Sequence, residues 1–118
     1  MSKLLIVDDE VAILEALTDI LSVEGYEVAT AANGAEGLDH VHKDRPDLIL
    51  LDLMMPVMDG QEMLRRLKED PDLRNIPVVV MSAGRVSKSE LQGSRFLAKP
   101  FELDDLLNTV SAELDKAH

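Results

Sequence analysis

Short apolar runs alternate along the chain with longer stretches whose apolar residues recur at helical spacing, the pattern of βα units joined into a parallel sheet. Strands are predicted at Leu4–Val7, Val28–Ala31, Leu48–Leu51 and Val78–Met81, with a shorter fifth at Phe96–Ala98. Three of these are almost wholly apolar rather than alternating, as expected of strands covered by helices on both faces. Between them, Ile13, Leu14, Leu17, Ile20 and Leu21 form one apolar stripe, and Leu103, Leu106, Leu107, Val110 and Leu114 form another. Both stripes are expected to pack on the sheet. Gly25 should stop the first helix, Asn33 with Glu36 reads as a capping box for the second, and Gly60 opens the third. Pro71 and Pro77 bracket the exit from that third helix. The fourth connection is poorer: from Arg85 to Arg95 only Val86 and Leu91 are strongly apolar. Ser87 with Glu90 can cap a turn or two, so a short or irregular helix is predicted there.

Composition narrows the classes of function. The 118 residues suit one domain, residues 1–118, and 46% hydrophobic content is enough for a core without disulfides or structural metals. The absence of cysteine removes thiolate metal sites and cysteine nucleophiles, and it suits a cytoplasmic location. No apolar stretch approaches the ~20 residues that cross a bilayer, so no membrane association is expected. With 23 acidic against 12 basic side chains, the net charge of −11 repels nucleic-acid backbones, and direct nucleic-acid binding is not expected.

The candidate chemistry comes from where the strands end. In an open parallel sheet, ligands bind outside the carboxyl ends of the strands, where the strand order reverses. Those positions hold Asp8 and Asp9 after the first strand, Asp52 after the third, Ser82 after the fourth and Lys99 after the fifth. Taken singly, each is an ordinary cap or turn residue. Together they are a set: three converging carboxylates repel one another unless one is protonated or a cation joins them. With Lys99 counted, two negative charges are left over, which one Mg²⁺ would neutralise. Oxygen donors without neighbouring His or Cys favour Mg²⁺ over a transition metal. His40 and His42 belong to the second helix, away from this end, and are expected to be exposed. A carboxylate can act as nucleophile in phosphoryl transfer when a metal and a cation absorb the charge of the phosphoryl oxygens. Asp52, at the end of the most buried strand, is the candidate nucleophile. Asp8 and Asp9 would hold the metal, Lys99 would pair with the phosphoryl group, and the Ser82 hydroxyl would hydrogen-bond it.

At these residues the chain resembles the receiver domain of bacterial response regulators over essentially its whole length. The motifs that carry the resemblance are Ile-Val-Asp-Asp-Glu at 6–10, Asp-Leu-Met-Met-Pro-Val-Met-Asp-Gly at 52–60, Met-Ser-Ala at 81–83 and Lys-Pro-Phe at 99–101. The resemblance implies a flavodoxin-like, doubly wound α/β fold with a five-stranded parallel sheet of order 2-1-3-4-5. It implies that Asp52 accepts phosphate from the phosphohistidine of a sensor histidine kinase or phosphotransfer protein, and that switched contacts reach a downstream protein target or output domain. It further implies that Asp9, Asp52 and the backbone carbonyl of Met54 bind Mg²⁺ directly, and that Asp8 acts mainly through water. Pro100 should follow a cis peptide bond that aims Lys99 inward. Ser82 and Phe96 should form a switch, in which the hydroxyl is drawn toward the phosphoryl group and the ring turns into the space left.

The chain departs from the family pattern between Ser82 and Lys99, an interval shorter than usual by more than one helical turn of ~3.6 residues. A truncated fourth helix is predicted, and with it an altered output face. Met54 and Gly84 offer no side chain to orient an attacking water, which predicts a slowly hydrolysing acyl phosphate. The chain carries no output domain after its last helix, so it is expected to be a stand-alone regulator or a piece of a longer one. Three other functions compete for the same residues. An Asp-nucleophile phosphohydrolase generally needs an acid two residues after the nucleophile, where this chain has Met54. A phosphorylation-independent binding module would keep the fold as a scaffold, and the short fourth helix is its best support. A nucleotide- or flavin-binding site would need a glycine-rich phosphate cradle where this chain has Asp-Asp-Glu.

Overall fold

The computed structural model describes residues 1–55 and 58–117. Pro56 and Val57, inside the 52–60 motif, lie outside the described residues. The elements alternate without exception: β1 (Lys3–Val7), α1 (Val11–Val23), β2 (Glu27–Ala31), α2 (Gly34–Lys43), β3 (Leu48–Asp52), α3 (Gly60–Glu69), β4 (Val78–Ser82), α4 (Lys88–Leu91), β5 (Arg95–Ala98) and α5 (Leu103–Ala117). All strand pairs are parallel and the sheet order is β2-β1-β3-β4-β5. The reversal of direction beside β1 places the ends of β1 and β3 next to each other.

Two cores follow from the two-residue period of the strands. Leu5, Val7, Ile49, Leu51, Val78 and Val80 face α2 and α3 through Leu38, Val41, Met63, Leu64 and Leu67. Leu4, Ile6, Leu48, Leu50, Val79 and Met81 face α1 and α5 through Leu17, Leu21, Leu106, Val110 and Leu114. Every residue of β3 and β4 is buried. Burying a large aliphatic side chain contributes about 1.5–3 kcal/mol, so this doubly covered pair is where the framework is stiffest.

The helix ends add detail. Gly25 takes φ +94° just past α1, a left-handed conformation that ends the helix at little cost. Asn33 caps α2 by accepting from the Glu36 amide at 2.9 Å, but the reciprocal half of the expected box is missing. Glu36 instead accepts from the Asn33 side-chain amide at 3.1 Å. α3 opens at Gly60 as predicted, and Asp59 caps it, accepting from the Glu62 amide at 2.9 Å. Gly60 serves a different purpose: a Cβ there would lie 2.2 Å from the Asp52 carbonyl oxygen and 2.5 Å from the Leu53 Cα. The helix start can therefore press against the end of β3 only because residue 60 has no side chain. The predicted α5 stripe holds except at Leu103, the first residue of the helix, which is 51% exposed. The short α4 is as predicted, with both halves of the Ser87–Glu90 capping box formed.

Candidate functional site

Four strands deliver side chains to one cleft of about 680 Å³, whose lining includes Asp9, Glu10, Asp52, Met54, Gln61, Ser82, Gly84, Arg85, Glu90 and Lys99. The strand register explains the gathering: Asp52 pairs with Met81, and Ser82 pairs with Ala98, one residue before Lys99. Asp8 lies just beneath, fully buried, its amide donating to Ala31 on β2 at 3.1 Å.

The polar contacts form one connected set. Lys99 Nζ donates to Asp8 Oδ2 at 2.8 Å and stands 3.7 Å from Asp52 Oδ2. The other oxygen of each acid is met by a backbone amide two residues on: Asp8 Oδ1 accepts from Glu10 at 3.0 Å, and Asp52 Oδ1 accepts from Met54 at 3.1 Å. Ser82 Oγ accepts from the Gly84 amide at 3.2 Å, which leaves the hydroxyl proton free to donate into the cleft. The Ser82 carbonyl in turn accepts from the Lys99 amide at 2.9 Å, locking β4 to the start of the β5–α5 loop. The Lys99–Pro100 peptide bond is cis.

Electrostatics follows from that geometry. Burial raises the Asp52 carboxyl above its ordinary range; the Met54 amide opposes this, Asp8 adds to it, Lys99 opposes it, and Asp9 adds to it. Burial works against the Lys99 ammonium, yet the hydrogen bond to Asp8 and the charges of Asp52, Asp8 and Glu10 outweigh it and raise its pKa. Lys99 is therefore a firmly held cation between two desolvated acids.

The carboxylates are grouped differently from the expected trio. Among the described residues, the acids whose oxygens lie within 4.8 Å of one another are Asp8, Asp9 and Glu10; Asp52 lies outside that group, 3.7 Å from Lys99 Nζ. Glu10, part of the 6–10 motif, was not among the expected metal ligands. It is the N-cap of α1, yet its side chain makes no capping bond and is left free beside Asp9. The donor set is all carboxylate oxygen, which fits a hard divalent cation such as Mg²⁺. Phe96, the other half of the expected switch, is half-buried and packs against the α2–α3 core together with Val86 and Leu91. His42 is exposed as expected, but His40 is half-buried, in a small pocket with Lys3, Val28 and Asp44. Neither histidine belongs to the cleft. Beside the cleft, and sharing Ala83 and Lys99 with it, runs an apolar groove formed by Ile13, Ala16, Leu17, Ile20, Pro100 and Phe101. That groove was also missed, because the residues that form it come from two elements distant in sequence.

Residues 4–111 match the family model described as the response regulator receiver domain. The chain belongs to that family. It is 42% identical over 117 residues to the sporulation initiation phosphotransferase F of Bacillus subtilis, covering 95% of this chain and 93% of that protein. It is 39% identical to the response regulator MprA of Mycobacterium avium, again over 95% of this chain but only 50% of the relative. Among solved structures, a Vibrio cholerae chemotaxis protein of the CheY type superposes with a TM-score of 0.89 at 34% identity, covering 96% of this chain and 98% of that one. The receiver fold and its place in two-component signalling are thereby settled for this chain. No described helix is long and apolar enough to cross a membrane.

Proposed function

We propose that residues 1–118 act as one phosphoacceptor unit in which Asp52 receives a phosphoryl group from the phosphohistidine of a sensor histidine kinase or a phosphotransfer protein. The observation that carries this reading is the Asp52 carboxylate itself, held at the end of a buried strand yet open to the cleft, with Lys99 and the free Ser82 hydroxyl proton beside it. A carboxylate oxygen of Asp52 attacks phosphorus, the P–N bond of the donor breaks, and the imidazole leaves with the electron pair and takes up a proton. Lys99 pairs with the oxygens of the transferred group, and Ser82 donates its proton to one of them.

Mg²⁺, held by Asp9, Asp52 and the Met54 carbonyl, would supply the remaining positive charge against those oxygens. Asp8 is suited to act through water, since one of its oxygens is taken by the Glu10 amide and the other by Lys99. Glu10 is placed to join the metal ligands in the same way. Movement of Ser82 toward the new dianion, with Phe96 turning into the vacated space, would pass the signal to a downstream target or output domain. That a relative covered nearly end to end is named a phosphotransferase supports a role in passing phosphoryl groups between cytoplasmic proteins. Met54, largely exposed, and Gly84 place no polar side chain over the acyl phosphate, which favours a long-lived phosphorylated form.

Incubation with acetyl phosphate, with and without Mg²⁺, followed by intact mass tests the reading. A single Mg²⁺-dependent adduct lost in Asp52→Ala is expected. An unmodified chain would leave a binding module that works without phosphorylation.

A further inference from the structure

Arg85 lines the same cleft as Asp52, Ser82 and Lys99, and among the described residues it has no ion-pair partner within 4.0 Å. Among the described residues, Arg45, Arg74 and Lys88 also lack an ion-pair partner, but Arg85 alone of these lines the cleft, which is rimmed by Asp9, Glu10 and Glu90. Glu90 is the acid closest in sequence, but both its oxygens are taken. One accepts from the Ser87 amide at 3.3 Å and the Ser87 hydroxyl at 3.0 Å, and the other accepts from Gln61 Nε2 at 2.5 Å. The capping box of α4 and the link to α3 thus keep the neighbouring acid away from the guanidinium.

We infer that Arg85 is a second cationic contact for the anion carried by Asp52, closing over the cleft once that anion is in place. The inference rests on the phosphoacceptor reading above and extends it to a residue outside the family motifs. The geometry supplies the coupling. Ser82 Oγ holds the Gly84 amide while its own proton is free, so a hydroxyl drawn toward an anion at Asp52 carries Gly84, and with it Arg85, in the same direction. The one atom near a Cβ built at Gly84 would be Ser82 Oγ, at 4.0 Å, so no close packing pins this residue. A planar guanidinium suits the oxygens of a tetrahedral dianion better than a point charge does, because its parallel N–H groups can engage two at once.

Beryllofluoride, a stable tetrahedral stand-in for the phosphoryl group on a carboxylate, provides the test. It is titrated in the presence of Mg²⁺ into the intact chain and followed by amide NMR and by the Arg85 Nε–Hε resonance. Arg85→Ala should weaken binding about fivefold, the scale of one partly exposed charge-assisted contact. Arg85→Lys should fall between the two, and the Arg85 Nε–Hε signal of the wild type should shift on saturation. Lys88→Ala removes an exposed cation outside the cleft and should leave the affinity unchanged. Wild-type affinity in Arg85→Ala would overturn the inference, and so would an equal loss in Lys88→Ala, which would assign the effect to overall charge. Absence of any binding by the wild type would sink the phosphoacceptor reading as well, whereas binding abolished by Asp52→Asn but indifferent to Arg85→Ala would sink the Arg85 contact alone.

Discussion

On one side of the cleft, Asp8 and Asp52 are fixed by fully buried strands, by backbone amides two residues on and by Lys99; on the other, residues 83–92 hang from β4 by two half-buried side chains, Val86 and Leu91. The fixed side contains some of the largest buried side chains of the molecule, and α4 contains no buried residue at all. What holds α4 is local and polar: its capping box, the Gln61–Glu90 hydrogen bond, and an exit through two left-handed residues, Gln92 and Gly93. The contrast matches the demands of a switch. The nucleophile and the groups around it must hold their geometry, whereas the surface that reports their state must change at a cost a single new dianion can cover. A shortened fourth helix takes this division further, since little apolar contact has to be broken for the segment to move.

The comparison breaks most readily from the fixed side. Gly60→Ala should destabilise by about 3 kcal/mol or more, because the new methyl meets backbone at the end of β3 rather than a yielding side chain. Leu50→Ala, at a fully buried site, should cost about 2–5 kcal/mol, while Leu91→Ala should cost about 1 kcal/mol or less; urea unfolding measures all three. Equal losses at Leu50 and Leu91 would refute the division drawn here. Next in size is the metal: at a hundredfold excess over its dissociation constant, Mg²⁺ should raise stability by about 2.7 kcal/mol, and Asp9→Ala should abolish most of that gain. Ser87→Ala should cost α4 about 1 kcal/mol, seen as faster amide exchange at Glu90 and Leu91 with the exchange of β3 unchanged.

The smallest effect lies on the surface of α3. Arg65 and then Arg66 hold Glu62 down to about 2 from its ordinary 4.5, so its favourable interaction is complete above about pH 4.5 and is lost as the pH falls toward 2. The stability difference between the wild type and Glu62→Gln should shrink through that window. Because these ion pairs lie at the solvated surface, the difference should be slight and further reduced by salt.

Which parts were legible in the sequence follows the same division. Apolar runs defined all five strands to within a residue at each end, most strongly in β1, β3 and β4, where burial on both faces leaves little freedom of composition. The cluster of strand-end side chains followed from topology, and the truncated α4 from its poor apolar content. What escaped was set by tertiary approach. The identity of residue 60 is dictated by Asp52 and Leu53 rather than by helix capping. Glu10 joins Asp8 and Asp9 because its side chain is not used as a cap, and the Gln61–Glu90 bond joins two segments with no local signature in common. Leu103 fits the helical period of α5 yet faces water, since period reports the face of a helix and not how deeply each of its turns is covered.

The central claim is tested most directly by locating the phosphoryl group after exposure to acetyl phosphate and Mg²⁺. Borohydride reduces an aspartyl phosphate to homoserine, and tandem mass spectrometry of the digested chain then reads the position. The account predicts homoserine at residue 52 and nowhere else, and none in Asp52→Ala. Modification at another acid, or a stable phosphoryl group on His40 or His42 with residue 52 intact, would contradict it.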